Sequence, residues 1–291
     1  MIFPNDPFCL NHDLLIAKLH AYNFDENSLK MTYNYLSERK QRTRINNIFS
    51  EEETLLSGVP QGSILGPLLF NIYMNDIFLF IPGINIANYA DDTTPHATSE
   101  TVDSLVQILE DSTNNIINWF RSNYMKSNED KNHLIITNCD NATATIGGHT
   151  IESSKVVKLL GVNIDNKLNF NEHISKICKK VGYKLHALAR ISHYMTTDKL
   201  RVLMKAFIES QFGYCPLIWM FHSRTLNTRI NTLHERALRI VYKDHYSSFE
   251  HLLKIDKSFT IHHRNLQKLA TEMYKVKTGI APLIMNHRLP L

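Results

Sequence analysis

The sequence predicts an α+β domain over residues 1–165, followed by an all-α domain over residues 166–291. Strand-like apolar runs alternate with helical spacing in the first part, whereas the pattern from Asn169 onward is helical almost to the end. Charge changes sign at the same place. Residues 1–165 carry 11 Lys+Arg against 20 Asp+Glu, a balance of −9, and residues 166–291 carry 21 against 8, a balance of +13 that brings the chain to +4. With 291 residues, 43% hydrophobic and 21% charged, the chain can bury a core in each part and is too apolar to be a disordered tail.

The elements follow in order. An amphipathic helix starts at or near His12, and a second spans about 25–38 with Leu29, Met31, Tyr33 and Leu36 as candidate core positions. Residues 43–48 and 54–56 read as a hairpin, and the loop 57–62 leads into a helix over about 63–80. A strand-turn-strand is centred on Asp91-Asp92. The helix after it, about 100–122, keeps Val102, Leu105, Ile108, Leu109, Ile116, Ile117 and Phe120 on one face. Residues 134–136 and 156–164 are the next strands, the second with Gly161 inside it, and helices follow over 174–195, 197–212, 223–243 and 261–278.

Several classes are excluded. The longest apolar stretch, 64–81, is broken by Asn71, Asn75 and Asp76, so no membrane span is expected. The first seven residues have neither the basic nor the apolar region of a signal peptide. Cys9, Cys139, Cys178 and Cys215 are far apart with no C-x-x-C, which fits reduced thiols in the cytoplasm or nucleus and no structural zinc.

Tyr89-Ala90-Asp91-Asp92 sets two adjacent carboxylates after the short apolar run at 84–87. Neighbours along a strand point to opposite faces, so a turn is needed if both carboxylates are to serve one site. Such a pair suits metal-assisted phosphoryl transfer, in which two Mg²⁺ ions about 3.5–4 Å apart are held by several convergent carboxylates. Taken alone, such a pair is more often an ordinary acidic turn. Pro60-Gln61-Gly62 sets a glycine at a helix start, where free N–H groups suit a phosphate, base or template strand, or where nothing binds. In the basic half, Lys176, Lys179, Lys180, Lys184, Arg190, Arg236, Arg239 and Lys243 recur at helical spacing with Tyr183, Tyr194 and Tyr242 among them. That composition can track a polyanion backbone without reading sequence; the alternative is a set of solvated helix faces.

Four segments stand in order: Gly58-Val59-Pro60-Gln61-Gly62-Ser63-Ile64-Leu65-Gly66-Pro67, then Tyr89-Ala90-Asp91-Asp92, then Lys126 to Lys131, then Leu159-Leu160-Gly161-Val162. The series resembles the palm of reverse transcriptases encoded by non-LTR (LINE-type, jockey-like) retrotransposons. Residues 233–239 and 261–267 are similar to the helical region downstream of that polymerase. The resemblance implies an antiparallel palm sheet packed on helices, then a helical thumb. It also implies RNA-templated DNA synthesis with dNTP, Mg²⁺, an RNA template and a DNA primer held as an RNA–DNA hybrid. Asp91, the principal ligand, and Asp92 would hold metal. Lys131 would neutralise pyrophosphate, Pro60, Gln61, Gly62 and Tyr89 would wall the nucleotide and template pocket, and Leu160-Gly161 would form the primer-grip turn.

One departure stands out. In relatives, a run like Cys9-Leu10-Asn11-His12-Asp13 follows a segment of the type Asp-Leu-Ser-Lys-Ala-Phe-Asp, whose first Asp completes the metal site. That register places Ile2 at the position, with Asp6 four residues away. The expectation is an N-terminally truncated palm, without fingers or endonuclease, that is inactive by itself. The alternative is a non-catalytic nucleic-acid-binding remnant that uses the basic helices.

Overall fold

In the computed structural model, which describes residues 3–4, 10–60, 62–81, 83–127 and 132–282, two compact units are present, residues 1–157 and 158–291. In the first, a short strand β1 (Phe3–Pro4) precedes α1 (His12–Ala21), which the Asn11 side chain caps by accepting from Leu14 N at 2.9 Å. Asp25 caps α2 (Glu26–Leu36) in the same way. Leu36 is fully buried and Leu29 half-buried, but Met31 is 67% and Tyr33 46% exposed. The expected core face of this helix is therefore corrected: positions 29, 32 and 36 share a face at 3.6 residues per turn, and 31 and 33 point away from it.

The expected hairpin is also different. β2 (Lys40–Gln41) pairs with β5 (Glu53–Thr54), and inside it β3 (Arg44–Ile45) pairs with β4 (Ile48–Phe49). Asn46 and Asn47 both take positive φ, which makes the turn. The predicted helix 63–80 is two helices, α3 (Leu65–Met74) and α4 (Ile77–Phe80). The break falls at Asn75-Asp76, residue types that compete with helical hydrogen bonds. There the Asp76 carboxylate takes Lys18 Nζ at 2.8 Å, while the same ammonium donates to Tyr73 O at 2.6 Å. Burial lowers the Lys18 pKa against the opposing pull of Asp76, and the Nζ also lies 4.8 Å from the Trp119 ring centroid. The contact ties α1 to α3 and to the long helix α5 (Val102–Ser122).

β6 (Asn85–Tyr89) and β7 (Asp92–His96) form the expected strand-turn-strand, and β1 adds to β7 to make a three-stranded antiparallel sheet in the order β1-β7-β6. Thr93 and Pro95 are the buried residues of β7, which packs on α5 (Val102–Ser122). Residues 134–136 are not a strand. Leu134 makes one bridge to Ser153, and the apolarity of Leu134 and Ile136 reflects burial, at 0% and 4% exposure. An unexpected hairpin, β8 (Thr143–Ile146) with β9 (His149–Glu152), turns at Gly147-Gly148 and packs on α5. The core gathers Leu15, Leu19, Leu36, Tyr73, Ile77, Ile116 and Phe120, all 0% exposed. Each such aliphatic or aromatic side chain stabilises the fold by ~1.5–3 kcal/mol.

The apolar run 156–164 is a hairpin, β10 (Val156–Leu159) and β11 (Val162–Asp165), at the junction of the two units. The second unit continues with α6 (Asn171–Ile191) and α7 (Thr197–Met204), which runs through a π-helical turn, Lys205–Glu209, into α8 (Ser210–Phe212). α9 (Pro216–Trp219), α10 (Arg224–Tyr242), α11 (Phe249–Asp256) and α12 (Ile261–Lys277) complete it. Ser223, Ser248 and Thr260 cap the last three helices through their hydroxyls.

Two charged ties hold this bundle. Arg264 makes a bidentate pair with Glu209 at 2.7 and 3.0 Å, and His234 Nε2, fully buried, stands 3.4 Å from the same carboxylate. Burial pushes the Glu209 carboxyl up, but His234 and Arg264 outweigh it and hold the pKa at about 2. Arg201 and the Tyr242 hydroxyl both donate to the buried Asp256, each at 2.7 Å.

Candidate functional site

The β6–β7 hairpin closes on the pair Tyr89↔Asp92, with Ala90 at φ 51° at the first corner. Left-handed backbone costs a non-glycine residue ~1–2 kcal/mol, so the tight corner is held by its flanking strands. Asp91 occupies the second corner and is half-buried; Asp92 opens β7, and its backbone pairs with Tyr89 and Pro4. Tyr89 is 67% exposed.

Facing this corner is the loop that precedes α3. The Gly58 carbonyl accepts from His12 Nε2 at 2.8 Å and from Arg39 Nη2 at 2.7 Å, which fixes where the loop begins. Ser63 Oγ donates to Pro60 O at 2.7 Å and accepts from Gly66 N at 2.9 Å, so it folds the loop back over the helix start. Gly66 permits that approach: a Cβ there would lie 2.9 Å from both Pro60 O and Ser63 Oγ. Between loop, helix and corner is a cavity of about 400 Å³ lined by Pro60, Gly62, Gly66, Phe70, Asn71 and Asp91, among others. Its wall is mostly apolar side chain and glycine, with Asn71 and Asp91 as polar groups, the make-up of a small-molecule pocket.

Of the residues singled out from sequence, Pro60, Gly62 and Asp91 thus meet at one cavity. Asp92 lies beside it on the sheet and is not among the lining residues. Gln61 and Lys131 lie outside the described residues, as do Ile2, Asp6 and Cys9. Gly66 belongs to the same motif, but its close contact was not singled out; the spacing Gly62-Ser63-x-x-Gly66 is the signal that marks it. Cys178 and Cys215 are free thiols, with the Cys178 thiol pushed up by burial.

Leu160 and Gly161 form a turn of their own in the second unit, with φ of 46° and 86°. The Tyr214 hydroxyl donates to Leu160 O, and a Cβ on Gly161 would meet the Tyr214 ring at 3.4 Å. Tyr214 is held in turn, because its carbonyl accepts from Trp219 Nε1 at 3.0 Å. On the basic helices, Lys176, Lys179, Lys180 and Tyr183 of α6 are exposed, with Lys176 paired to Glu172. Tyr242 does not belong to that surface. Burial and its hydrogen bond to Asp256 push its phenol up to about 12, and Arg239 is bonded to Glu235 at 2.6 Å.

A pair of Mg²⁺ ions requires several carboxylates converging on one point. Among the described residues no group of three or more His, Cys, Asp or Glu does so. With Asp91 alone of the acidic pair on the cavity wall, the described donor set does not fit a two-metal centre.

Residues 8–164, more than half of the chain, match the family model for reverse transcriptase (RNA-dependent DNA polymerase). The chain belongs to the reverse transcriptase family. It is similar to the probable RNA-directed DNA polymerase from transposon BS of Drosophila melanogaster, 24% identical over 249 residues, covering 79% of this chain and 27% of that protein. Similarity to the RNA-directed DNA polymerase from mobile element jockey of the same fly is 27% over 160 residues, 49% of this chain and 17% of that one. A retrovirus-related Pol polyprotein from type-1 retrotransposable element R1 2 of Nasonia vitripennis is 23% identical over 176 residues, 56% and 43% of the two. The chain therefore spans about a quarter or less of the two fly relatives. It is a reverse transcriptase-like protein of the non-LTR, jockey-like kind. Reverse transcriptases in general use divalent metal ions. No described helix is long and apolar enough to cross a membrane.

Proposed function

We propose that the first unit is a reverse-transcriptase palm whose Pro60–Gly62–Asp91 cavity receives the nucleotide and templating base, and that the second unit is a thumb that tracks an RNA–DNA hybrid. The observation that carries this reading is the cavity: residues about 30 positions apart in sequence, in a segment matching the reverse transcriptase family, line one pocket of nucleotide size. Pro60, Gly62 and Gly66 line the wall, and Gly62, with nothing within 4 Å of a Cβ built there, leaves its backbone open to a planar base. Asp91, half-buried at the hairpin corner, offers one cation-holding carboxylate there. Gln61, Tyr89 and Lys131 are proposed to serve the same pocket, and the Leu160-Gly161 turn, held by Tyr214, to set the primer strand.

The same reading makes this 291-residue chain a binder of hybrid that does not polymerise by itself, because the family register places Ile2 where the third metal-binding carboxylate would stand. Primer extension on an RNA template with dNTP and Mg²⁺, in parallel with hybrid binding by anisotropy, tests it. We expect salt-sensitive hybrid binding without extension. Extension by the chain that disappears in Asp91→Asn would overturn the inactivity. Absence of hybrid binding at low salt would overturn the reading as a whole. The exposed Lys176, Lys179, Lys180 and Tyr183 of α6 favour a second reading, in which binding resides only in the helices. Binding that persists with an unchanged affinity after substitutions at the cavity would support it.

A further inference from the structure

Residues 40–54 form a double hairpin, β2–β5 around β3–β4, in which every residue is exposed. A two-stranded ribbon open on both faces gains little from burial. Packing therefore does not account for Ile45, Ile48 and Phe49, which are 67%, 76% and 47% exposed.

The charges along the ribbon are sorted. The outgoing limb carries Arg39, Lys40, Arg42 and Arg44, and no acid intervenes before Glu51, Glu52 and Glu53 on the returning limb. Lys40 is paired with Glu52 at 3.7 Å, but among the described residues neither Arg42 nor Arg44 has a carboxylate partner. Both lie instead over one ring, with Arg42 Cζ 4.3 Å and Arg44 Cζ 5.4 Å from the Phe49 centroid. Arg44 is further held by the Asn47 side chain. The tip thus presents an exposed aromatic ring framed by two cations, beside two exposed isoleucines.

The root of the arm is fixed. Arg39 donates to Leu36 O at 3.0 Å and to Gly58 O at 2.7 Å, and its carbonyl accepts from Leu55 N at 2.8 Å. Gly58 begins the loop that walls the cavity, so the arm and the cavity share an anchor.

We propose that this tip is a contact for a single strand of nucleic acid, with phosphates on Arg42 and Arg44 and an unpaired base stacked on Phe49. The inference rests on the proposed nucleic-acid function of the chain and adds a binding element outside the pocket. Charge complementarity selects the partner. A polyanion of planar bases uses cations and ring together, whereas an apolar protein face would bury two guanidinium groups without partners.

The test is anisotropy of a fluorescein-labelled oligouridylate with the full chain across a salt series. For Arg42→Gln/Arg44→Gln we expect the slope of log affinity against log salt to fall in magnitude by about 1.4, at about 0.7 for each single-strand phosphate that is no longer neutralised. Phe49→Leu, which keeps an apolar side chain and removes the stacking face, is expected to weaken binding roughly five-fold or more at every salt concentration, with the slope unchanged. All three side chains are exposed, so thermal melting of the variants should match the parent. Wild-type binding that none of these changes alters overturns the arm proposal and leaves the function reading standing. Variants that change only self-association in sedimentation also overturn it, in favour of a surface between copies. No oligouridylate binding by the parent chain overturns the arm proposal alone, and the RNA–DNA hybrid measured in parallel decides the function reading.

Discussion

Gly66→Ala is the substitution on which helix propensity and the site geometry give opposite signs. Replacing glycine by alanine within a helix gains up to ~1 kcal/mol, and less in the first turn. At Gly66, however, the new Cβ would stand 2.9 Å from the Pro60 carbonyl and 2.9 Å from Ser63 Oγ. The first is backbone and the second is committed to two hydrogen bonds that shape the loop, so neither yields cheaply. Overpacking of this kind costs ~1–3 kcal/mol, which leaves a net loss of about 1–2 kcal/mol after the propensity gain. For a unit of this size that lowers the melting temperature by roughly 2–8 °C. The two tryptophans fall one in each unit, Trp119 in α5 and Trp219 in α9, so a Trp219→Phe background reports the first unit alone. Gly182→Ala, mid-α6 with nothing within 4 Å of its Cβ, is the control and should stabilise by ~0.5–1 kcal/mol, read through Trp219 in a Trp119→Phe background. A Gly66→Ala melting temperature that is unchanged or raised would refute the tight loop-to-helix contact, and with it the shape assigned to the cavity wall.

Two further predictions concern the second unit, each read by urea denaturation with Trp219 fluorescence in a Trp119→Phe background. Gly161→Ala should cost ~1–2 kcal/mol for its left-handed backbone, and Tyr214→Phe ~0.5–1.5 kcal/mol for removing the hydroxyl that donates to Leu160 O. A neutral result in both would show that the turn is not held by Tyr214. Arg264→Met should cost ~3–5 kcal/mol by leaving Glu209 buried without its bidentate partner. The folded pKa of Glu209 is about 2, below its ordinary 4.5, so its contribution is full above pH ~4.5 and is lost as the pH falls toward 2. Stability of the parent should therefore decline across that window and that of Arg264→Met should decline less; parallel curves would contradict the tie.

Elements with long, regular spacing were legible in the sequence. α5, α10 and α12 lie within two residues of expectation because each buries one stripe of a helix that is polar elsewhere. Short elements were less so. The assignment of Met31 and Tyr33 to the core used an alternating period on a helix. The turns at Asn46-Asn47 and Gly147-Gly148 rest on residue types tolerant of positive φ, a signal that apolar spacing does not carry. Residues 134–136 showed how a buried apolar run imitates a strand. At the site, Pro60, Gly62 and Asp91 were marked by local motif, but their meeting at one cavity is a tertiary fact. Tyr214, over fifty residues from the turn it grips, has no local signal at all. His234 and Arg264, within the segments that resemble the family's helical region, turn out to be internal ties on Glu209.

The central claim is that the Pro60–Gly62–Asp91 cavity, and not only the basic helices, receives the nucleic acid. Photo-crosslinking of the full chain to an RNA–DNA hybrid carrying 5-iodouracil at the primer–template junction, with adducts located by mass spectrometry, tests it most directly. The account predicts adducts in residues 58–71 or 85–92 that disappear when excess unlabelled hybrid competes. Competable adducts confined to residues 166–291 would contradict it.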